Sequence, residues 1–255
     1  MRPVFCMDIT DFRPMVSANP QRFLRWATRK FRADPDGLAE ETNAATRMQS
    51  QAGSPDSIEM IGAWYAAGIS GNRQFQAFSL YECHGGWPGG WRRMVELYRG
   101  VPDSLFLSAI DGVRFGATSL PLVGAPGCPT TAELRDQGVH GPYALIEFAD
   151  VAVDSGLDYL TAARELRAPY MADHGFRLAG LYEIAFSRGR VCTLWAGNAE
   201  GQVGLMRARD ANLGLDDAAL ADPRMREWEA ASAKLLRGDA QEYLLAAYPG
   251  PVLTA

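Results

Sequence analysis

The stretch FRLAGLYEIAFSRGRVCTLW, residues 176–195, decides how this chain is read. Two apolar runs, Phe176 to Phe186 and Arg190 to Trp195, flank Ser187-Arg188-Gly189. A short glycine-bearing connection between two such runs reads as a β-hairpin. Upstream, Tyr143 to Phe148 has the length and apolarity of a buried strand. Between them Asp154 or Ser155 can cap a helix from Gly156 to about Asp173, with Leu157, Leu160, Ala163 or Arg164, and Ala168 at helical spacing. His174-Gly175 supplies its stop. Downstream, a second helical region starts near Glu200, breaks around Gly214 and Pro223, and resumes through Trp228 to Leu236. Gln241 to Tyr248 then reads as a strand closed by Pro249-Gly250-Pro251.

The order β-α-β-β-α-β is the split βαβ, or ferredoxin-like, plan. The N-terminal part follows the same order. Val4 to Ile9 reads as a strand, and Asn19-Pro20 opens a helix holding Phe23, Leu24, Trp26, Ala27 and Phe31. Residues 33–56 are polar and read as a turn, a weaker helix and a loop, a long insertion relative to the other half. Ile58 to Ala67 and Gln74 to Cys83 form a hairpin across Ser70-Gly71-Asn72; Trp91 to Arg99 is a short amphipathic helix, and Phe115 to Val123 a closing strand. Ile61-Gly62-Ala63-Trp64 lies over Ala179-Gly180-Leu181-Tyr182, Leu80-Tyr81 over Leu194-Trp195, and Arg93 over Arg207. The shared order predicts an internal duplication: residues 1–123 as a degenerate first half, 143–255 as the second, and the Pro- and Gly-rich 124–142 as a linker.

The composition suits this plan. The 255 residues are 47% hydrophobic and 22% charged, enough for one large or two small cores. No apolar run reaches the roughly 18–20 residues of a membrane span. A net charge of −5 gives no basic face for nucleic acid. The N-terminus meets Asp8 where a signal peptide would carry apolar residues, so a cytoplasmic protein is expected. Lys30 and Lys234 are the only lysines among 25 basic residues, the usage of a GC-rich bacterial genome, so arginine excess is not in itself a phosphate signal. Cys6, Cys83, Cys128 and Cys192 show no zinc spacing and are expected as reduced thiols, Cys83 and Cys192 as core residues.

A lone ferredoxin-like sheet leaves one face exposed, and two such sheets can bury those faces against each other. Here the Leu145-x-Glu147 strand, the Leu178 to Tyr182 strand and the Val191-x-Thr-Leu-Trp195 strand before an Arg-bearing helix resemble the NIPSNAP and dimeric α+β barrel superfamily. The resemblance implies an α+β fold of two fused ferredoxin-like halves, with antiparallel sheets packed face to face as a pseudo-dimeric barrel around a cavity. Members include cofactor-independent oxygenases, cyclases, isomerases, haem enzymes and proteins with no known activity, so the residues must be weighed one by one.

Strand alternation puts Ala144, Ile146 and Phe148 on one face and Leu145 and Glu147 on the other; Glu183 shares a face with Leu181 and Ala185. If the wholly apolar face meets the helices, Glu147 and Glu183 project into the cavity, Asp8 joins them from the first half, and Tyr65 is the counterpart of Glu183. A buried carboxylate has a raised pKa and can move protons near neutrality. Glu147 and Glu183 are therefore the candidate acid and base, with Tyr65 as hydrogen-bond partner. The competing role is a salt bridge to an arginine such as Arg164 or Arg177. Asp8, Trp64, Tyr81, Tyr182, Trp195, His84 and His174 are the candidate pocket residues; a cavity lined by such rings suits a hydrophobic or aromatic small molecule. His84 precedes the glycine-rich turn Gly85 to Gly90 and could form a rim; His174 suits a helix C-terminus. Neither carries a haem-attachment motif, no metal spacing occurs, and no nucleotide-binding or GxSxG motif is present. The expectation is a ligand-binding protein without cofactor, metal, nucleic acid or membrane partner; a homodimer is compatible with it. It is read as a cyclase-, isomerase- or oxygenase-type enzyme, with a non-catalytic ligand-binding or assembly protein as the alternative.

Overall fold

The computed structural model describes residues 2–12, 58–66, 75–99, 114–249 and 251–254. The chain forms two compact units, Met1–Leu122 with Ala246–Ala255, and Val123–Leu245. The expected helix from Asn19-Pro20, the insertion 33–56 and the turn Ser70-Gly71-Asn72 fall outside the described residues.

In the first unit β1 (Val4–Phe12) and β2 (Ile58–Ala66) both pair antiparallel with the central β3 (Gln76–Cys83). Helix α1 spans Gly86–Arg99, so the glycines expected as a flexible turn form its first turns. Gly90 is why it can: a Cβ there would lie 3.1 Å from the Cys83 Sγ, and its absence lets the helix approach β3. Strand β4 (Arg114–Gly124) follows. The first unit's core includes Phe12, Met60, Ala63, Ala77 and Tyr81, with Tyr65 and Tyr248 packed against it.

The second unit repeats the plan. Helix α2 (Thr131–Asp136) precedes β5 (Tyr143–Val151), and β5 and β6 (Arg177–Ile184) flank the central β7 (Arg190–Gly197). Between β5 and β6 run α3 (Gly156–Ala162), a π-turn (Ala163–Arg167) and α4 (Ala168–Asp173). Then come α5 (Ala199–Asn212), α6 (Pro223–Ala233) and β8 (Leu236–Ala247). The segment expected as a linker carries a short helix and specific contacts. Thr130 and Glu133 close a capping box on α2, Ala125 N–H donates to Leu181 at 2.8 Å, and Arg164 and Arg177 donate to the Pro126 and Gln137 carbonyls.

The aligned hairpins share one irregularity. The β2–β3 register shifts between Met60 and Gly62, and the β6–β7 register between Leu178 and Gly180, each shift being a one-residue bulge. Two residues after each glycine, on the same face, an aromatic ring folds back over it. A Cβ on Gly62 would lie 1.8 Å from the Trp64 ring, and one on Gly180 2.2 Å from that of Tyr182. Only glycine allows either ring that position. Cys83 and Cys192 are buried in their strands, as expected.

Candidate functional site

Register puts the candidate acids at matching places. Asp8 lies directly opposite Ser79 on the first central strand, and Glu147 directly opposite Thr193 on the second. Tyr65 opposite Ala77 likewise matches Glu183 opposite Val191.

Glu147 is buried, and its surroundings correct the expected orientation. Its Oε1 accepts from the Tyr159 hydroxyl of α3 at 2.8 Å, and its Oε2 from Arg167 Nη1 of the π-turn at 2.7 Å. Gly156, at the start of α3, packs over Glu183 and Val191. The face bearing Glu147 and Glu183 therefore lies under the second unit's helices, not on the side away from them. The reason is that Arg167 enters the helix–sheet layer and needs an anion there. Arg167 also binds Glu242 of β8, and its guanidinium carbon sits 5.1 Å from the Trp195 ring centroid and 5.4 Å from that of Trp228. Burial raises the Glu147 pKa, with the guanidinium and Tyr159 pulling it back. Burial works against the charge on Arg167, but Glu147 and Glu242 raise its pKa above the ordinary value.

Asp8 is half-buried and differently placed. Ser119 of β4 donates to its Oδ1 at 2.5 Å, and the Cys6 thiol approaches the same atom at 3.8 Å. Among the described residues no cation pairs with it. Desolvation raises the Asp8 pKa, opposed by its Ser119 and Cys6 hydrogen bonds. Tyr81 shares the face, and burial together with Asp8 holds its phenol well above the ordinary value. Burial and Asp8 likewise push the Cys6 thiol up, so it is no thiolate nucleophile.

The remaining candidates separate. Glu183 and Glu147 share a face but not the Tyr159–Arg167 network. Tyr65 packs into the first unit's core. Trp64 is buried, with no hydrogen-bond partner for its indole Nε1–H among the described residues. Tyr182 is buried over Gly180, whereas the Trp195 Nε1–H donates to Thr193 Oγ1 at 3.0 Å. His84 meets Glu59 at 3.0 Å, and His174 caps α4 with Asp222 3.8 Å away. Among the described residues no cluster of histidine, cysteine and acid has the makings of a metal site, and no helix is long and apolar enough to cross a membrane.

Sequence reasoning missed Arg167, Tyr159, Trp228, Glu242 and Ser119. Arg167 was passed over because the inward face was centred on Leu157, Leu160 and Ala168. The buried positions are instead Gly156, Tyr159, Leu160, Ala163, Arg167 and Tyr170, and Leu157, expected inside, is 39% exposed.

Comparison with known proteins now adds the fold. No protein-family model matches the chain, and no curated protein sequence matches it. Solved structures do. An anthrone oxidase-like protein matches at TM-score 0.59 and 8% identity, over 97% of this chain and 92% of that one. A monooxygenase-like protein from Lactobacillus acidophilus matches at TM-score 0.55 and 7% identity, over 97% and 94%. These likenesses show the fold alone, an α+β fold built on antiparallel strands. A NIPSNAP domain protein from Burkholderia xenovorans also matches, over 42% of this chain and 95% of that one, at 14% identity and TM-score 0.32. At such identities fold carries over and chemistry does not.

Proposed function

We propose that this protein is an enzyme that binds a small hydrophobic or aromatic molecule on the Asp8 face of its first unit, with Asp8 as the proton acceptor. The observation that carries this reading is the desolvated Asp8 carboxylate held by Ser119 beside Cys6 and Tyr81, set against the caged Glu147 at the matching strand position. A desolvated carboxylate without a counter-ion is a stronger base than one in water. Tyr81, Cys6 and Ser119 surround it with hydrogen-bonding groups. Deprotonating an activated C–H or O–H of the substrate would start an isomerisation, a cyclisation or an attack on dioxygen alike. Glu147 and Glu183 leave the catalytic role, and Tyr65 with them. The similarity in fold to an anthrone oxidase-like protein makes anthrone with dioxygen the first substrate to try. No cofactor is invoked.

Oxygen uptake with anthrone and related phenolic aromatics tests this. Asp8→Asn should lower turnover by roughly 10²- to 10⁴-fold while Glu147→Gln keeps it in whatever folded protein remains. Undiminished turnover in Asp8→Asn would overturn the assignment. A second reading, a non-catalytic binding protein, is favoured by one observation, the locked Glu147–Arg167 pair. It predicts saturable ligand binding without turnover.

A further inference from the structure

An arginine guanidinium ordinarily stays in water, yet Arg167 is 3% exposed. Its head group lies over the rings of both Trp195 and Trp228 and is bound by Glu147 and Glu242. Its Nε–H has no hydrogen-bond partner among the described residues. Two indole faces and two carboxylates are the arrangement that recognises a free planar cation. The walls come from separate elements: Glu147 from β5, Trp195 from β7, Trp228 from α6 and Glu242 from β8. Tyr159 holds Glu147 from the other side, and its ring meets Trp228 edge-on at 5.3 Å. These two contacts do not involve the Arg167 side chain.

We infer that the second unit contains a planar-cation site occupied by the chain's own Arg167, and that this site takes up an external guanidinium-type cation when that side chain is removed. The site is built from residues of the second unit alone and does not depend on the catalytic reading. A lysine would not fill it, because a compact ammonium can neither stack on two rings nor span both carboxylates.

The test is full-length Arg167→Ala with methylguanidinium as probe. Removing one partner of a buried pair should lower Tm by roughly 6–20 °C. Methylguanidinium at about 10 mM should then restore roughly 3–6 °C, saturably, for a Kd near 1 mM. Methylammonium should restore nothing, and intact protein should respond to neither. In Arg167→Ala with Glu147→Gln the rescue should vanish at the same concentration, because the buried one of the two carboxylates is gone. If Arg167→Ala does not fold alone, refolding yield with methylguanidinium against methylammonium gives the same answer. A gain confined to methylguanidinium supports the site. Equal gains from both cations, or none from either, overturn it.

Discussion

The two units place an acid at the same point, opposite a hydroxyl on their central strand, and then treat it in opposite ways. Glu147 is enclosed by Arg167 and Tyr159, while among the described residues Asp8 accepts from a serine and a thiol. The backbone plan, with its bulge and its ring-covered glycine, is common to both units. Among the described residues the electrostatics is not, since only Glu147 is bound by an arginine from the helical layer. An acid's position in a sheet is thus weak evidence of its role until its counter-ion is known.

The contrast can be broken most severely at Glu147. Glu147→Gln leaves a buried guanidinium short of one anion and should cost about 3–5 kcal/mol in urea unfolding. An effect below 1 kcal/mol would mean that the cage is not tight. Next come the glycines. Gly180→Ala and Gly62→Ala force a ring off its strand and should each cost about 1–3 kcal/mol, more at Gly62, where the overlap is deeper. If only one responds, the parallel between the hairpins is superficial. Thr193→Val strands the Trp195 indole and should cost about 1 kcal/mol by thermal unfolding.

The smallest effect belongs to Asp8, and its sign is the informative part. With its folded pKa raised, native Asp8 keeps a proton that the unfolded chain has already released. Stability therefore falls as pH rises from the ordinary aspartate value through the raised one. Asp8→Asn removes that loss. The variant should match the parent near pH 3.5 and exceed it by about 1 kcal/mol or less near pH 7. A variant less stable at neutral pH would show that Asp8, like Glu147, is held by a counter-charge.

Much of the fold was legible because its signals are local. The 176–195 hairpin, the stop at His174-Gly175 and the equivalence of Gly62-x-Trp64 with Gly180-x-Tyr182 depend on residues close in sequence. The face shared by Glu147 and Glu183 also followed from strand parity. What that face meets did not, because Arg167 lies 20 residues and Glu242 95 residues from Glu147. The apolar-face rule failed here since an ion pair stacked on two indoles can fill a helix–sheet layer as hydrocarbon does. The helix and contacts of the 124–142 segment were hidden for a similar reason: proline and glycine mark turns equally well in a packed connection and in a loose one.

The π-turn at Ala163–Arg167 has a consequence for how such a chain can change. A π-turn takes up one residue in excess of the α repeat, and one codon can add or delete it. Deleting a residue there would restore the α repeat while the flanking turns keep their phase. If the residue lost were Arg167 itself, Glu147 would lose its guanidinium without any rearrangement of the helices on either side. The counter-ion of that acid is then a single in-frame deletion from being lost, a shorter evolutionary step than assembling a new set of side chains.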